Sequence, residues 1–93
     1  MTFEEFKQSL SADQPPEVRK ELVALWHEAK GDWDTAHEIV QDIARREASW
    51  VHAYLHRKEG DRSNASYWYS RAGKPMFEDS FEEEWENLVH TLL

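Results

Sequence analysis

The chain lacks cysteine, has only three glycines and three prolines, and contains no long apolar run. Without cysteine there is no disulfide framework, no thiolate nucleophile and no thiolate metal site. So few glycines also exclude a glycine-rich phosphate loop. No apolar stretch approaches the ~18 residues of a membrane span, and the start, Met-Thr-Phe-Glu-Glu-Phe, carries neither the basic nor the apolar region of a secretory signal. We therefore expect a cytoplasmic protein without a membrane segment.

Positive charge is also scarce, since 11 Lys and Arg residues stand against 19 Asp and Glu residues, for a net charge of −8. Nonspecific nucleic-acid binding depends on neutralising phosphates, so we expect no nucleic-acid partner. The bases are concentrated: residues 45–74 hold seven bases and three acids, whereas the rest of the chain holds four bases and sixteen acids. A basic, aromatic-rich middle therefore lies between acidic ends, and attraction within the chain can explain this asymmetry as well as binding can.

Apolar residues are present in the amount and spacing of one small helical domain. They make up 40% of the 93 residues, and five tryptophans add large buried surfaces. Apolar positions recur at helical spacing and no window alternates with a period of two, so we predict an all-α fold of about six helices. In chain order we predict an N-terminal helix and linker, two antiparallel hairpins in tandem, and an acidic C-terminal helix: residues 1–14, 16–43, 47–73 and 80–93.

The two predicted hairpins repeat one pattern. The segment 26–36 aligns without gaps on the segment 55–65, so that His, Gly-Asp and Ala recur at a spacing of 29 residues. Glycine permits a sharp turn, aspartate caps the next helix, and alanine lets antiparallel helices approach closely. Pro16 suits the first turn of the second helix. Repeated hairpins need neighbours on their outer faces, so we predict that the terminal helices act as caps.

This pattern resembles tetratricopeptide-type repeats, including the Sel1-like group, over about residues 18–75. The family pattern is matched in the second hairpin by Ala53, His56, Gly60, Asp61, Ala65, Tyr69 and Ala72. The spacing of 29 residues is shorter than the family's roughly 34, and His27 and His56 stand where the family usually packs an aromatic ring. The resemblance implies a partner-binding helical surface and no catalytic residue. Residues 31–34 and 50–57 are also similar to a small bacterial family without an assigned function.

A basic, aromatic face is expected on the second hairpin. Consecutive Tyr67, Trp68 and Tyr69 point around roughly 200° of a helix, so at least one of these rings is expected to face solvent. Aromatic and guanidinium faces together can stack a planar or anionic group. The acidic segment of residues 78–86 can equally dock on this face.

Two histidines have a spacing compatible with a metal ion. His52 and His56 lie four residues apart on one predicted helix, which can aim both imidazoles at one ion. A third ligand could come from His37, His27, Glu38 or Glu59. The sequence is not H-E-x-x-H, so a zinc-peptidase site is excluded. Because a histidine at the packed position of a hairpin is more commonly structural, we predict no metal, no cofactor and no catalytic residue.

We predict a non-enzymatic interaction module that binds a protein segment, or a second copy of itself in a homodimer, through the basic, aromatic face of the second hairpin. The alternative is a small anionic-ligand or metal-binding protein that uses His37, His52, His56 and Tyr67. Imidazoles that converge without partners on a pocket would favour the alternative, whereas packed histidines beside an exposed aromatic patch would favour the module. The candidate binding residues are Trp50, Tyr54, Arg57, Tyr67, Arg71, His37, His52 and His56.

Overall fold

The computed structural model describes residues 1–93 as six helices without a strand, which confirms the predicted all-α class. The helices are α1 (Phe3–Ser9), α2 (Lys20–Ala29), α3 (Trp33–Gln41), α4 (Arg46–Glu59), α5 (Arg62–Ala72) and α6 (Phe81–Leu92). None of the helices combines the length and the apolarity that a membrane crossing requires.

Two hairpins, α2–α3 and α4–α5, form the centre of the fold and have the same turn. Gly31 and Gly60 both have a φ of +89°, a left-handed conformation that side chains disfavour. The side chains of Asp32 and Asp61 each accept the backbone amide three residues further on. The amide of each aspartate donates to the carbonyl of the repeated histidine at 2.9 Å and 3.0 Å. The Gly-Asp repeats are therefore structural.

The terminal helices cover the hairpins and complete one core of 20 buried apolar residues. The rings of Phe6 in α1 and Trp85 in α6 lie 5.9 Å apart. The Trp85 indole donates to the Leu25 carbonyl at 3.2 Å, and the Trp26 indole donates to the Ser9 carbonyl at 3.1 Å. These bonds satisfy indole N–H groups that burial would otherwise leave without a partner.

The prediction that Pro16 lies in the first turn of the second helix is wrong, because α2 begins four residues later, at Lys20. Arg19 precedes the helix with extended backbone, at φ −60° and ψ 154°. This conformation lets its guanidinium reach the carboxylate of Glu21 at 3.2 Å. Since Glu21 is fully buried, the ion pair favours a helix that starts after Arg19 over one that starts at the proline.

Candidate functional site

A fully buried carboxylate joins α6 to the second hairpin. Glu84 accepts hydrogen bonds from Arg57 Nη1 at 2.9 Å, from the Trp50 indole at 3.0 Å and from the Tyr69 hydroxyl at 2.5 Å. We call these four residues the carboxylate cluster. Both oxygens of Glu84 have donors, which is the condition for a buried carboxylate to be tolerated.

The acidic C-terminal segment therefore covers much of the basic, aromatic face predicted to bind a ligand. Trp50 and Tyr54 are 8% and 1% exposed. The Arg57 guanidinium lies over the rings of Phe77 and Phe81, at 5.6 Å and 4.5 Å from their centroids. The prediction of an accessible surface at Trp50, Tyr54 and Arg57 is wrong, because the chain's own α6 and the segment before it occupy these side chains. The alternative, that the acidic segment docks there, describes what the structure shows.

Other buried acids are also paired. The hydroxyl of Tyr54 donates to Glu28 at 3.0 Å, and Lys58 binds the same carboxylate. Burial, reinforced by the adjacent glutamates, raises the pKa of Tyr54 and of Tyr69 well above the usual value for a phenol. Both tyrosines therefore stay protonated and act as donors.

Glu21 links the start of α2 to the start of α4. Two nitrogens of Arg45 lie 2.9 Å and 3.1 Å from its oxygens, and Arg19 donates to the same two oxygens. Burial raises the pKa of Glu21, but the hydrogen bonds from Arg45 and Arg19 outweigh burial and lower it to about 2. This ionised group holds the two hairpins together at neutral pH.

Three imidazoles meet between the hairpins. His37 comes from α3, and His52 and His56 come from α4. The Nε2 atoms of His37 and His52 lie 3.0 Å apart, and one ring nitrogen from each histidine falls within 4.8 Å of the others. We call these three residues the histidine cluster. His52 and His56 are buried and His37 is half-buried.

Two members of the histidine cluster, His52 and His37, have lowered pKa values. Burial and the neighbouring imidazoles lower the pKa of His52 to about 3, and burial together with His56 lowers the pKa of His37. His52 Nδ1 is buried and has no hydrogen-bond partner. His56 Nδ1 lies 2.7 Å from a carboxylate oxygen of Glu59. The cluster therefore contains a buried ring nitrogen that the fold leaves without a partner.

Two tryptophans fix the ring planes of the histidine cluster. Trp33 stacks on His37 with centroids 5.0 Å apart and an interplanar angle of 8°. Trp68 stacks on His52 with centroids 3.9 Å apart and an angle of 16°. Trp33 is itself anchored, because its indole donates to the Leu55 carbonyl at 2.7 Å. The imidazoles thus lie between aromatic walls with limited freedom to rotate.

The uncovered side of the second hairpin carries an exposed basic and aromatic surface. Tyr67 is 54% exposed, and the Arg71 guanidinium lies 5.8 Å and 5.4 Å from the ring centroids of Tyr67 and Trp68. A cleft of about 290 Å³ adjoins these residues, with Arg46, Ser49, Trp68 and Arg71 in its wall. We call Arg46, Ser49, Tyr67, Trp68 and Arg71 the open face.

The open face contains the arginines that lack an acidic partner. Arg46 and Arg71 form no ion pair, although Arg71 donates to the Tyr67 hydroxyl at 3.3 Å. The other arginines of the chain each pair with a carboxylate: Arg19, Arg45, Arg57 and Arg62. The unpaired positive charge of the arginines is thus gathered at one cleft.

Comparisons with protein-family models, curated proteins and solved structures find no match to this chain. Its function is therefore inferred from its own residues.

The predicted binding residues lie in three separate places. Trp50, Tyr54 and Arg57 lie beneath α6 and its preceding segment, His37, His52 and His56 form the histidine cluster, and Tyr67 and Arg71 lie on the open face. Among the candidates for a third ligand, His37 lies beside His52 and His56 in the structure, and Glu59 contacts Nδ1 of His56. Arg46 is not among the predicted binding residues. Its position between the two predicted hairpins, 16–43 and 47–73, could have indicated it.

Proposed function

We propose that this chain is a non-enzymatic interaction module that binds an acidic segment of a partner protein on its open face. The proposal depends on two unpaired arginines, Arg46 and Arg71, which lie beside the half-buried Trp68. They lie on a chain whose net charge is −8, so their lack of a carboxylate does not reflect a shortage of acids. An acidic segment would supply the missing partners.

The charges of the cleft favour an anionic occupant. Arg46 and Arg71 line it, and Asp42 is the acidic residue in its wall. Arg45 is also there, but its charge is matched by the buried Glu21. Guanidinium groups bind carboxylates through paired N–H donors, and they are less strongly hydrated than ammonium groups. The cleft therefore suits carboxylate side chains.

The aromatic part of the open face supports a peptide as the occupant. The indoles of Trp26, Trp33, Trp50 and Trp85 donate hydrogen bonds within the protein. The indole N–H of Trp68 has no protein acceptor and is available to a ligand. Half-exposed aromatic rings that keep a polar group free are characteristic of protein interfaces.

The backbone around the cleft adds further donors. α4 begins at Arg46 without a side-chain cap, so the amides of its first turn lack an acceptor from a neighbouring side chain. Ser49 is 7% exposed and its hydroxyl forms no hydrogen bond within the protein. The resemblance to tetratricopeptide-type repeats points in the same direction, because those repeats imply partner binding.

A fluorescein-labelled hexaglutamate peptide tests the proposal by fluorescence anisotropy. We expect the wild-type chain to bind this probe and the double variant Arg46→Gln/Arg71→Gln to bind it about tenfold more weakly, since two exposed charge pairs at ~0.7 kcal/mol each amount to a factor of ten. The matched control is Arg62→Gln, because Arg62 lies on α5 outside the cleft and pairs with the exposed Glu78.

Two results of the titration would contradict a peptide site at the open face. An equal loss per charge in the Arg62→Gln control would show that the probe senses net charge alone and would contradict a site at the open face. Tighter binding of a single-stranded oligonucleotide than of the peptide at the same ionic strength would also contradict the proposal.

The acidic segment can come from another protein or from a second copy of this chain, and sedimentation separates the two sources. A dimer that dissociates in the Arg46→Gln/Arg71→Gln variant would assign the segment to a second copy. A monomer that binds the probe would assign it to a different protein. A dimer that the double variant leaves intact, together with no binding of the probe, would overturn the role of the open face.

A further inference from the structure

We propose that the histidine cluster is a binding site for a divalent transition-metal ion of the zinc class, with His37, His52 and His56 as its protein ligands. The site lies between α3 and α4 and is independent of peptide binding on the open face. It would hold the two hairpins at a fixed distance from each other.

The spacing of the imidazole nitrogens is close to the spacing that a tetrahedral ion imposes. Zinc–nitrogen bonds of about 2.0–2.1 Å in tetrahedral geometry place two ligand nitrogens about 3.3 Å apart. The Nε2 atoms of His37 and His52 lie 3.0 Å apart, and His56 contributes a nitrogen within 4.8 Å of both. Binding therefore requires side-chain shifts of about an ångström and no rearrangement of helices.

The hydrogen bonding of the ring nitrogens is compatible with metal binding. An imidazole binds a metal ion through the lone pair of one ring nitrogen while the other nitrogen carries the proton. Without an ion, one Nε2 of the His37–His52 pair must donate its proton to the other at 3.0 Å. If the donor is His52, its proton can move to the unpartnered Nδ1 when a metal takes both Nε2 lone pairs. This change of tautomer requires that no other group donates a hydrogen bond to Nδ1 of His52, which is the case.

The surroundings of His56 already have the arrangement seen around metal ligands. Metal-bound histidines usually donate their second ring N–H to a carboxylate, which fixes the tautomer and orients the ring. His56 Nδ1 lies 2.7 Å from Glu59 and leaves Nε2 as the lone-pair nitrogen. His37 is oriented instead by its stacking on Trp33. His52 is oriented by its stacking on Trp68, so each of the three rings is positioned by a neighbour outside the ligand set.

The donor set selects the class of ion. Three imidazoles suit Zn²⁺, Ni²⁺ and Cu²⁺, whereas Mg²⁺ and Ca²⁺ need a shell of oxygen ligands. Zinc sites with three protein ligands keep a fourth position for water or a ligand. His37 is the half-buried member, so the ion reaches the cluster from the side of α3.

A second set of groups shares His56 and must be distinguished from the cluster. His56, Glu59 and Asp61 also bring one ligand atom each within 4.8 Å of one another. Both acids are exposed and already engaged, since Glu59 contacts His56 Nδ1 and Asp61 caps α5. Glu59 therefore orients the His56 imidazole in the proposed site and is not itself a ligand.

Cobalt absorption spectroscopy tests the proposal on the full chain, since Co²⁺ replaces Zn²⁺ and shows intense visible bands only in four-coordinate sites. We expect wild-type protein to bind one Co²⁺ with such bands and to lose them when Zn²⁺ is added. His37→Gln should lower the affinity more than about a hundredfold, beyond the usual effect of losing a supporting group. The matched control His27→Gln occupies the equivalent position of His56 in the first hairpin and should bind as the wild type does.

Two further variants locate the ion. Glu59→Gln should weaken binding by about 10–100-fold while preserving the four-coordinate spectrum. Asp61→Asn keeps an N-cap residue and should leave binding unchanged. Circular dichroism of each variant without metal shows whether it is folded, and His37 is half-buried so that its replacement is tolerated. Absence of four-coordinate bands, equal losses in His27→Gln and His37→Gln, or abolition by Asp61→Asn would overturn the proposal.

Discussion

Two polar clusters lie on opposite sides of α4, and they differ in how completely their groups are paired. Trp50 and Arg57 point to one side, and His52 and His56 point to the other, as the 100° rotation per residue requires. In the carboxylate cluster both oxygens of Glu84 have donors. In the histidine cluster a buried imidazole nitrogen has no partner.

This difference distinguishes a structural cluster, the carboxylate cluster, from a candidate binding site, the histidine cluster. A buried polar group without a partner costs stability, so a fold that keeps one either needs it or compensates for it elsewhere. The carboxylate cluster is saturated and fixes α6 on the second hairpin. The histidine cluster is not saturated, since His52 Nδ1 has no partner, and it is the cluster that we propose as a metal site.

The largest effect is expected for Glu84→Ala. The variant leaves the Arg57 guanidinium, which is 10% exposed, without its carboxylate, and it removes the acceptor of Trp50 and Tyr69. We expect the free energy of unfolding to fall by about 3–5 kcal/mol, as for other buried pairs that lose one partner. Urea denaturation measures it. Glu83→Ala, at an exposed neighbouring position, should change stability by less than about 0.5 kcal/mol.

Arg57→Gln should cost somewhat less, about 2–4 kcal/mol, because the glutamine amide can still donate one hydrogen bond toward Glu84. Arg57 also contacts the rings of Phe77 and Phe81, and these contacts are lost with the guanidinium. Thermal unfolding measures the change. A loss below about 1 kcal/mol would show that the carboxylate cluster does not hold α6 in place.

The pH dependence of stability should distinguish the two sides of α4. The pKa of His52 is lowered to about 3 in the folded chain, so the unfolded chain binds the extra proton below a pH of about 6.5. Stability is therefore highest above pH 6.5 and falls as the pH decreases, by about 2 kcal/mol between pH 7 and pH 5 for this group. His52→Phe should remove this loss. Denaturant titrations at a series of pH values measure it.

A carboxylate provides an internal contrast at lower pH. The pKa of Glu21 is about 2 when folded, against 4.5 in its unperturbed state, so its contribution is lost only as the pH falls below about 4.5. The loss that His52 causes extends from about pH 6.5 down to about pH 3, so His52→Phe should remove it across this range. The additional loss below pH 4.5 that Glu21 causes should remain in the variant. An identical decrease in the free energy of unfolding between pH 7 and pH 5 in wild type and variant would contradict the assignment of a buried neutral His52.

The smallest effect on stability is expected for Arg71→Gln. Arg71 is exposed, pairs with no carboxylate and donates only to the Tyr67 hydroxyl. We expect a change within about 0.5 kcal/mol of zero in urea denaturation, in contrast to Arg57→Gln on the covered side. A large loss would show that the open face is part of the scaffold and would remove the basis for treating it as a binding surface.

The turns and caps could be predicted from the sequence because they depend on single residues. Gly31 and Gly60 form the predicted sharp turns with a positive φ. Thr2 and Glu5 form a capping box, which the spacing T-x-x-E encodes at the start of α1. These features follow from local backbone geometry, which a glycine or a short polar side chain determines without help from distant residues.

The buried clusters could be predicted only in part because they depend on how helices cross. Residues 78–86 contain six acids that look equivalent in sequence, and packing against α4 selects Glu84 among them. The spacing of His52 and His56 indicated a possible site, but the choice of His37 depends on the contact between α3 and α4. The repeat does not encode that contact, since Ser66 occupies the position equivalent to His37 in the second hairpin.

The melting temperature with and without Zn²⁺ tests the division between scaffold and site most directly. An ion that binds only the folded chain at 100 times its dissociation constant adds about 2.7 kcal/mol, which raises the melting temperature of a domain this size by roughly 10 °C or more. We predict this rise for the wild type and for His27→Gln, and its absence for His37→Gln. No rise in the wild type, or an equal rise in all three proteins, would contradict the account.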